Sequence, residues 1–299
     1  LASNLVDIVK YQNLDLLHVH YAIPHASAAF IAKQILKEQG IYIPVITTLH
    51  GTDITLVGKA PAYRSVVAFS INQSDGITTV SESLKRDTYA NFDIKKEIEV
   101  VPNFIDFTRF MKLDRAHFKK AIAPNKEKLL IHTSNFRKVK RVEDTIRIFH
   151  KVRQQVNSKL MLVGDGPERA CVEELARKLN VEKDVMFLGK QDAVEELLAI
   201  ADLYLMPSES ESFGLAALEA MACEVPVISS NTGGIPEINI HGDTGFLSDV
   251  GNVEEMALNA IKILSNEDTL KKFKTNSLIQ AKKFDIANIL PVYERYYEK

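Results

Sequence analysis

The feature that most constrains this chain is the order and texture of its apolar segments. Short, mostly apolar runs alternate with longer stretches of helical periodicity, and the short runs do not keep the strict apolar-polar alternation of a half-exposed strand. Leu14–His20, Val45–Leu49, Gly76–Val80 and Ile98–Val101 read as strands, with helices predicted over Ala26–Lys37, Tyr63–Asn72 and Glu82–Tyr89. After a polar passage over Asp114–Lys128 the alternation restarts. Strands are predicted at Leu129–Thr133, Lys159–Val163, Val185–Leu188, Leu203–Pro207 and Val225–Ser229, and helices near Val142–Gln155, Glu168–Leu179, Ala193–Ala199, Phe213–Cys223 and Glu254–Leu264. Strands that lack a polar face must be covered on both sides, which requires a parallel sheet with crossover helices. The pattern therefore predicts an α/β chain of two doubly wound, Rossmann-like domains, with ligands bound between them at the carboxyl ends of the strands. Residues 1–114 would form the first domain and 115–283 the second. The chain opens in a helical pattern (Leu5, Ile8, Val9) where an open α/β domain begins with a strand, so the first domain is expected to lack its first strands.

Composition narrows the function classes. Lys and Arg number 37 against 39 Asp and Glu, a net charge of −2, so a strongly basic nucleic-acid binder is not the default. Two cysteines, Cys171 and Cys223, cannot build a disulfide framework and point to a reducing, cytoplasmic setting. No apolar run approaches the roughly 18 residues that span a bilayer.

The segment Pro207-Ser-Glu-Ser-Glu-Ser-Phe-Gly-Leu-Ala-Ala-Leu-Glu-Ala-Met-Ala222 carries the most chemical information. A strand ends, a polar loop follows, and a helix begins with Ser212 as the expected N-cap. The N–H groups of Gly214 and Leu215 would then point out of the helix start and, with the positive end of its dipole, form an anion site. Glu211 stands just before the helix and Glu219 eight residues on. With a diphosphate on the helix start, Glu211 can accept hydrogen bonds from sugar hydroxyls and Glu219 from a ribose. Two isolated glutamates are as well explained by dipole compensation and a surface helix; the loop-and-helix context favours the ligand.

Glu211-x7-Glu219, followed by Pro226-Val-Ile228, Gly233-Gly-Ile-Pro-Glu237 and Gly242-Asp-Thr-Gly-Phe-Leu247, resembles the retaining glycosyltransferases of family 4, whose fold is the two-domain GT-B type with a cleft between the domains. The resemblance runs over essentially the whole chain. It implies a nucleotide-sugar donor held by the C-terminal domain, with Phe213, Gly214, Leu215 and Glu219 at the donor, and an acceptor held by the N-terminal domain. In this fold the final helix, 284–299 here, crosses back to complete the first domain. The family also carries a Gly-rich loop after its first strand, which this chain does not show.

Further segments acquire a role from the same resemblance. Ser134-Asn-Phe-Arg-Lys-Val-Lys-Arg141 concentrates basic charge after a strand, where a leaving diphosphate needs neutralising. The family pairs an Arg with a Lys here. Lys140 stands at the Lys position; the Arg position falls on Asn135, and Arg137 is the guanidinium this chain offers. Gly164-Asp-Gly-Pro167 is the turn that lies beside the nucleotide in the family, and Gly189-Lys190-Gln191 resembles the loop that reads the base, a position suited to uracil. In the first half, Leu17-His-Val-His-Tyr-Ala-Ile-Pro-His25 and Thr48-Leu-His-Gly-Thr-Asp53 both end strands. His18 and His20 share a strand face, so a metal site has to be considered, but no third ligand follows at convincing spacing. In the family a histidine at the place of His50 faces the transferred sugar. The chain has no Asp-x-Asp, so no metal is expected: basic residues and helix dipoles take its place.

His18–His25, Thr48–Thr55 and Ser134–Arg141 together resemble the family members of bacillithiol biosynthesis, which move N-acetylglucosamine from UDP-GlcNAc to the hydroxyl of L-malate. That resemblance implies UDP-GlcNAc and L-malate as small-molecule substrates and no further cofactor. An acceptor with two carboxylates needs positive charge and hydroxyl donors: Tyr21 and Thr52 end strands at the cleft, and Arg64 opens the helix after the Gly58–Pro61 loop, one turn before the place of Ala68, where such relatives carry their Arg, and on the same helix face. The alternatives are another acceptor on the same fold (an inositol phosphate or a lipid-linked sugar), a UDP-GlcNAc 2-epimerase, and a non-catalytic sugar-nucleotide sensor. Oligomeric state, a homo-oligomer included, is left open.

Overall fold

The computed structural model describes residues 1–56, 60–112 and 115–299. The chain divides into two compact units, Leu1–Asn103 with Ile289–Lys299, and Phe104–Asn288.

The first unit contains helices α1 (Ala2–Gln12), α2 (Ser27–Glu38), α3 (Pro61–Gln73) and α4 (Glu82–Asn91), and strands β1 (Leu17–His20), β2 (Val45–Leu49), β3 (Gly76–Thr79) and β4 (Glu99–Val100). The strands pair in parallel in the order β1-β2-β3-β4. Val6 and Val9 of α1 and Ala29, Ala32 and Leu36 of α2 close on Leu17 and Val45 in one buried cluster. β2 is buried along its whole length, and its two threonines are satisfied by hydroxyl pairs, Thr47 with Ser74 and Thr48 with Thr78, at 2.7 and 2.6 Å.

The second unit contains β5 (Lys128–Ser134), β6 (Ser158–Gly164), β7 (Val185–Gly189), β8 (Leu203–Met206), β9 (Val227–Ser230) and β10 (Gly245–Ser248), with α5 (Ala116–Ile122), α6 (Val142–Arg153), α7 (Arg169–Lys178), α8 (Val194–Ile200), α9 (Leu215–Ala222), α10 (Ile235–Ile238), α11 (Val253–Leu264) and α12 (Glu267–Ala281). All strand pairs are parallel, in the order β10-β9-β8-β5-β6-β7. The chain builds outward from β5 in one direction, returns, and builds from β8 in the other. The reversal lies between β5 and β8, paired through Leu130 with Leu203 and Ile131 with Tyr204. α6 shows why the layers hold: Val142, Ile146, Phe149 and Val152 recur at helical spacing and are all buried, while acidic residues open the helix and basic ones close it.

The last helix, α13 (Ile286–Tyr297), belongs from Ile289 onward to the first unit. Ile289 and Tyr293 pack on Val101, and the Tyr296 hydroxyl accepts from Ile77 N at 2.8 Å. The second unit begins earlier than the sequence pattern suggests. The composition change falls at residue 114, but Ile105 already bonds to Phe284 and Ile286 through its backbone, and Arg109 pairs with Glu195. Among the described residues no helix is long and apolar enough to cross a membrane.

Candidate active site

The reversal between β5 and β8 opens a gap between consecutive loops at the carboxyl edge of the second unit, where ligands of such sheets bind. The turn after β5 and the loop after β8 meet there. Glu209 N donates to Val139 O at 2.8 Å, and the Lys140 ammonium lies 2.6 Å from Glu211 Oε1. Glu211 is held from its other side as well, since Gly234 N donates to its carbonyl at 3.0 Å. Gly233 makes that approach possible: its φ is +56°, and a Cβ there would come within 1.8 Å of Glu211 O.

The helix after this loop starts later than the sequence suggests. Ser212 is not the N-cap; Gly214 is, at φ 99°, and α9 begins at Leu215. A left-handed N-cap suits glycine, whereas a serine cap needs extended backbone. The first intrahelical bonds come from Ala217 N and Leu218 N to Gly214 O, so the N–H groups of Leu215 and Ala216 precede the ladder and face outward at the positive end of the helix. Phe213 contributes only its backbone here, because its ring is buried edge-on against Phe284.

The basic turn is sorted by its contacts. Arg141 is committed to Asp144 at 2.6 Å. Arg137 is exposed, and among the described residues nothing pairs with its guanidinium; Asn135 is exposed beside it. Beneath them His132 is fully buried, bonded to Leu205 O and Ser134 Oγ, each at 2.8 Å. Burial, aided by the nearby Lys140 charge, holds its imidazole down to about 4, so it is neutral and adds no charge to the site. Gly164 closes β6 in register with Ser134, which puts the Gly164–Pro167 turn against the same edge, and Lys190 stands exposed after β7.

Glu219, in the second turn of α9, is largely buried. Burial pushes its carboxyl up to about 7; the Arg109 charge opposes this and Glu195 adds to it. Arg109 in turn pairs with Glu195 at 3.2 Å and donates to Asp192 O. The sequence gives no sign of this Arg109–Glu195–Glu219 group, because its members are far apart in the chain.

In the first unit, the loops after β1 and β2 are joined by Asp53. This buried carboxylate accepts from Ala22 N at 2.8 Å and Gly51 N at 3.1 Å, and burial raises its pKa. Tyr21 sits at φ 73°, with its ring 5.0 Å from that of His50. A cavity of about 460 Å³ is lined by Tyr21, Ile23, Ser27, Thr52, Asp53 and Tyr63, among others. Tyr21 and Thr52 are thus brought together as the sequence suggests. Arg64 is not: its guanidinium donates to Asn91 O at the carbonyl end of α4, at 2.7 Å. Tyr63 and Val66 share the face of α3 that lines the cavity, and Arg64 lies one step round the helix from it. Gly58 and Lys59 of the Gly58–Pro61 loop lie outside the described residues. Among the described residues no group of three or more His, Cys, Asp or Glu side chains is placed to hold a metal ion.

Two family models match successive parts of the chain, the glycosyltransferase family 4 model over residues 1–109 and the model for glycosyl transferases group 1 over residues 114–279. The chain belongs to glycosyltransferase family 4. It is 50% identical over 269 residues to N-acetyl-alpha-D-glucosaminyl L-malate synthase of Bacillus anthracis, covering 90% of this chain and 70% of that protein. It is 29% identical to an uncharacterised glycosyltransferase of Methanocaldococcus jannaschii, over 87% of this chain and 68% of the relative. Among solved structures, Anabaena HepE in complex with UDP and glucose matches with a TM-score of 0.87 at 21% identity, over 100% of this chain and 81% of that one. A glycosyltransferase from Rickettsia africae matches at 0.81 and 20% identity, over 99% and 79%. This family 4 chain therefore has the GT-B fold expected from its motifs.

Proposed function

We propose that this glycosyltransferase moves N-acetylglucosamine from UDP-GlcNAc to the hydroxyl of L-malate, with retention and without a metal ion, as the first step of bacillithiol biosynthesis. The observation that carries the substrates is the 50% identity over 90% of the chain to the Bacillus anthracis enzyme named for that product. The geometry of the second unit agrees with a nucleoside diphosphate donor. The start of α9 and the Lys140 and Arg137 side chains would supply the charge a leaving diphosphate needs, with Asn135, Gly164 and Lys190 around the same edge, and Glu219 in the second turn of α9 would take the ribose.

In the reaction, the bond from the anomeric carbon to the β-phosphate oxygen breaks and a bond to the malate hydroxyl oxygen forms on the same face. The hydroxyl proton passes to the leaving phosphate oxygen. Glu211, in the loop that leads into α9, is already engaged by Lys140, which argues against its acting as a nucleophile as the second carboxylate does in retaining glycosidases. The protein contributes orientation and charge stabilisation. Tyr21 and Thr52 donate to the acceptor in the first unit, and His50 serves the transferred sugar. The proposed setting is the cytoplasm, in keeping with Cys171 and Cys223 as free thiols. The deciding experiment is UDP release by the purified full-length protein over a panel of acceptors, with proton NMR of the sugar. UDP release that requires L-malate and gives an α-linked product supports the reading. Conversion of the donor without acceptor marks an epimerase, and preference for an inositol phosphate or lipid-linked sugar moves the acceptor.

A further inference from the structure

The histidines of the first unit form a connected group that the substrate assignments use at one point only. His18 and His20 lie two apart on β1 and so on one face of the strand, and His50 follows β2. His20 Nδ1 lies 2.8 Å from His50 Nε2. On its other side the His20 ring lies 4.7 Å from that of His18, tilted by 34°, and its carbonyl accepts from His25 Nδ1 at 2.6 Å. His18 is fixed through both nitrogens, to the Tyr297 hydroxyl at 2.8 Å and to Thr48 Oγ1 at 2.7 Å. The position of His20 is therefore set by β1, by the turn after it and, through His18, by the last helix. Burial lowers the pKa of all three of His18, His20 and His50, so the group is neutral at neutral pH. A neutral imidazole has one N–H and one acceptor nitrogen. The short His20–His50 contact then needs one shared proton, and whichever ring holds it determines what the other nitrogen of His50 offers.

We propose that His20 is a positioning residue for His50: the His20 Nδ1 to His50 Nε2 contact holds the His50 imidazole in one orientation and one tautomer, so that its Nδ1 presents a fixed hydrogen-bonding group to the transferred sugar. This rests on the role given to His50 under the proposed function. If His20 donates, His50 carries its proton on Nδ1 and is a donor there; if His50 donates, its Nδ1 is an acceptor. Either way the group is prepared before the substrate arrives, and a misplaced ring costs rate more than binding.

The test compares His20→Ala, His20→Asn, His50→Ala and the His20→Ala/His50→Ala pair, using UDP release with saturating malate. His20→Ala is expected to lower kcat by at least tenfold while the KM for UDP-GlcNAc stays within about twofold. His20→Asn, whose amide can offer its NH2 as donor or its Oδ1 as acceptor at the place of Nδ1, is expected to recover most of the loss. The double variant should be no slower than His50→Ala alone, since the two act as one unit. Nitrogen-15 NMR of the folded wild type should show one His50 tautomer, and of His20→Asn the same one. Wild-type turnover in His20→Ala, or losses that multiply in the double variant, overturns the proposal. So does wild-type turnover in His50→Ala, and malate-dependent UDP release in that variant would show that the reaction assignment still stands.

Discussion

Lys140 Nζ lies 2.6 Å from Glu211 Oε1, joining the turn after β5 to the loop after β8 across the point where the strand order of the second unit reverses. Both side chains are mostly covered, with 25% and 13% of their surface exposed, so the pair is less screened than a surface ion pair. It brings the proposed diphosphate cation and the proposed sugar carboxylate into contact before any ligand binds. Removing Lys140 should cost on the order of 10²-fold or more in turnover, the scale of losing one preformed charge stabiliser. Glu211→Ala releases the ammonium, so UDP affinity should hold or tighten while turnover falls. Steady-state kinetics with and without EDTA, together with UDP calorimetry, check this; dependence of wild-type activity on Mn²⁺ or Mg²⁺ would contradict the metal-independent reading.

Glu219→Ala should weaken UDP binding by roughly 1.5–3 kcal/mol, the scale of hydrogen bonds to a charged group. Burial puts this carboxyl at about 7, so its ionised fraction grows as pH rises from 6 to 8. UDP affinity of the wild type should rise over that range relative to Glu219→Gln, which has no such titration. Arg109→Gln removes the charge that opposes the shift and should move the inflexion to higher pH. A flat ratio between wild type and Glu219→Gln, measured by calorimetry, would remove the ribose assignment.

Acid should destabilise the fold over a defined window. Burial holds His18, His50 and His132 at about 4, against 6.5 when unfolded. Between those values the unfolded chain binds more protons than the native one, so stability falls as pH drops from about 6.5 towards 4. Thermal unfolding followed from pH 7.5 to 4.5 should show this, with a smaller slope in His132→Asn.

Tyr296→Phe removes a hydroxyl that accepts from Ile77 N at 2.8 Å and donates to Ile77 O. Ile77 is fully buried, so its N–H is left without a partner, at a cost of about 1–3 kcal/mol. Urea unfolding measures the loss, and turnover per folded molecule should be unchanged.

Arg64→Ala should leave the KM for malate within about twofold, because the guanidinium is spent on Asn91 O and not on the cavity. Thr52→Val, by contrast, should raise it several-fold. Saturation curves for the two variants check the pair of expectations together.

The sequence alone determined the layers of this protein. Strands such as Val45–Leu49 and Leu129–Thr133 could be read because burial on both faces leaves short, mostly apolar runs without strict alternation, a requirement written locally in the chain. The motif around Glu211 and Glu219 was legible for the same reason: a loop and the helix that follows it are contiguous. Elements that bury little or bury polar groups were not. α5 has no buried residue, and α12 hides Ser277 and Gln280 beside Leu270 and Phe273, so its apolar stripe is blurred. The tertiary structure alone decided which side chains meet. Lys140 reaches Glu211 because the sheet reverses between β5 and β8, Arg109 approaches Glu219 from more than a hundred residues away, and His20 meets His50 because β1 and β2 pair in register. It also turned Arg64 away from the cavity and moved the helix start from Ser212 to Gly214. Such contacts depend on strand order and on backbone angles at single residues, and neither leaves a periodic trace in the sequence.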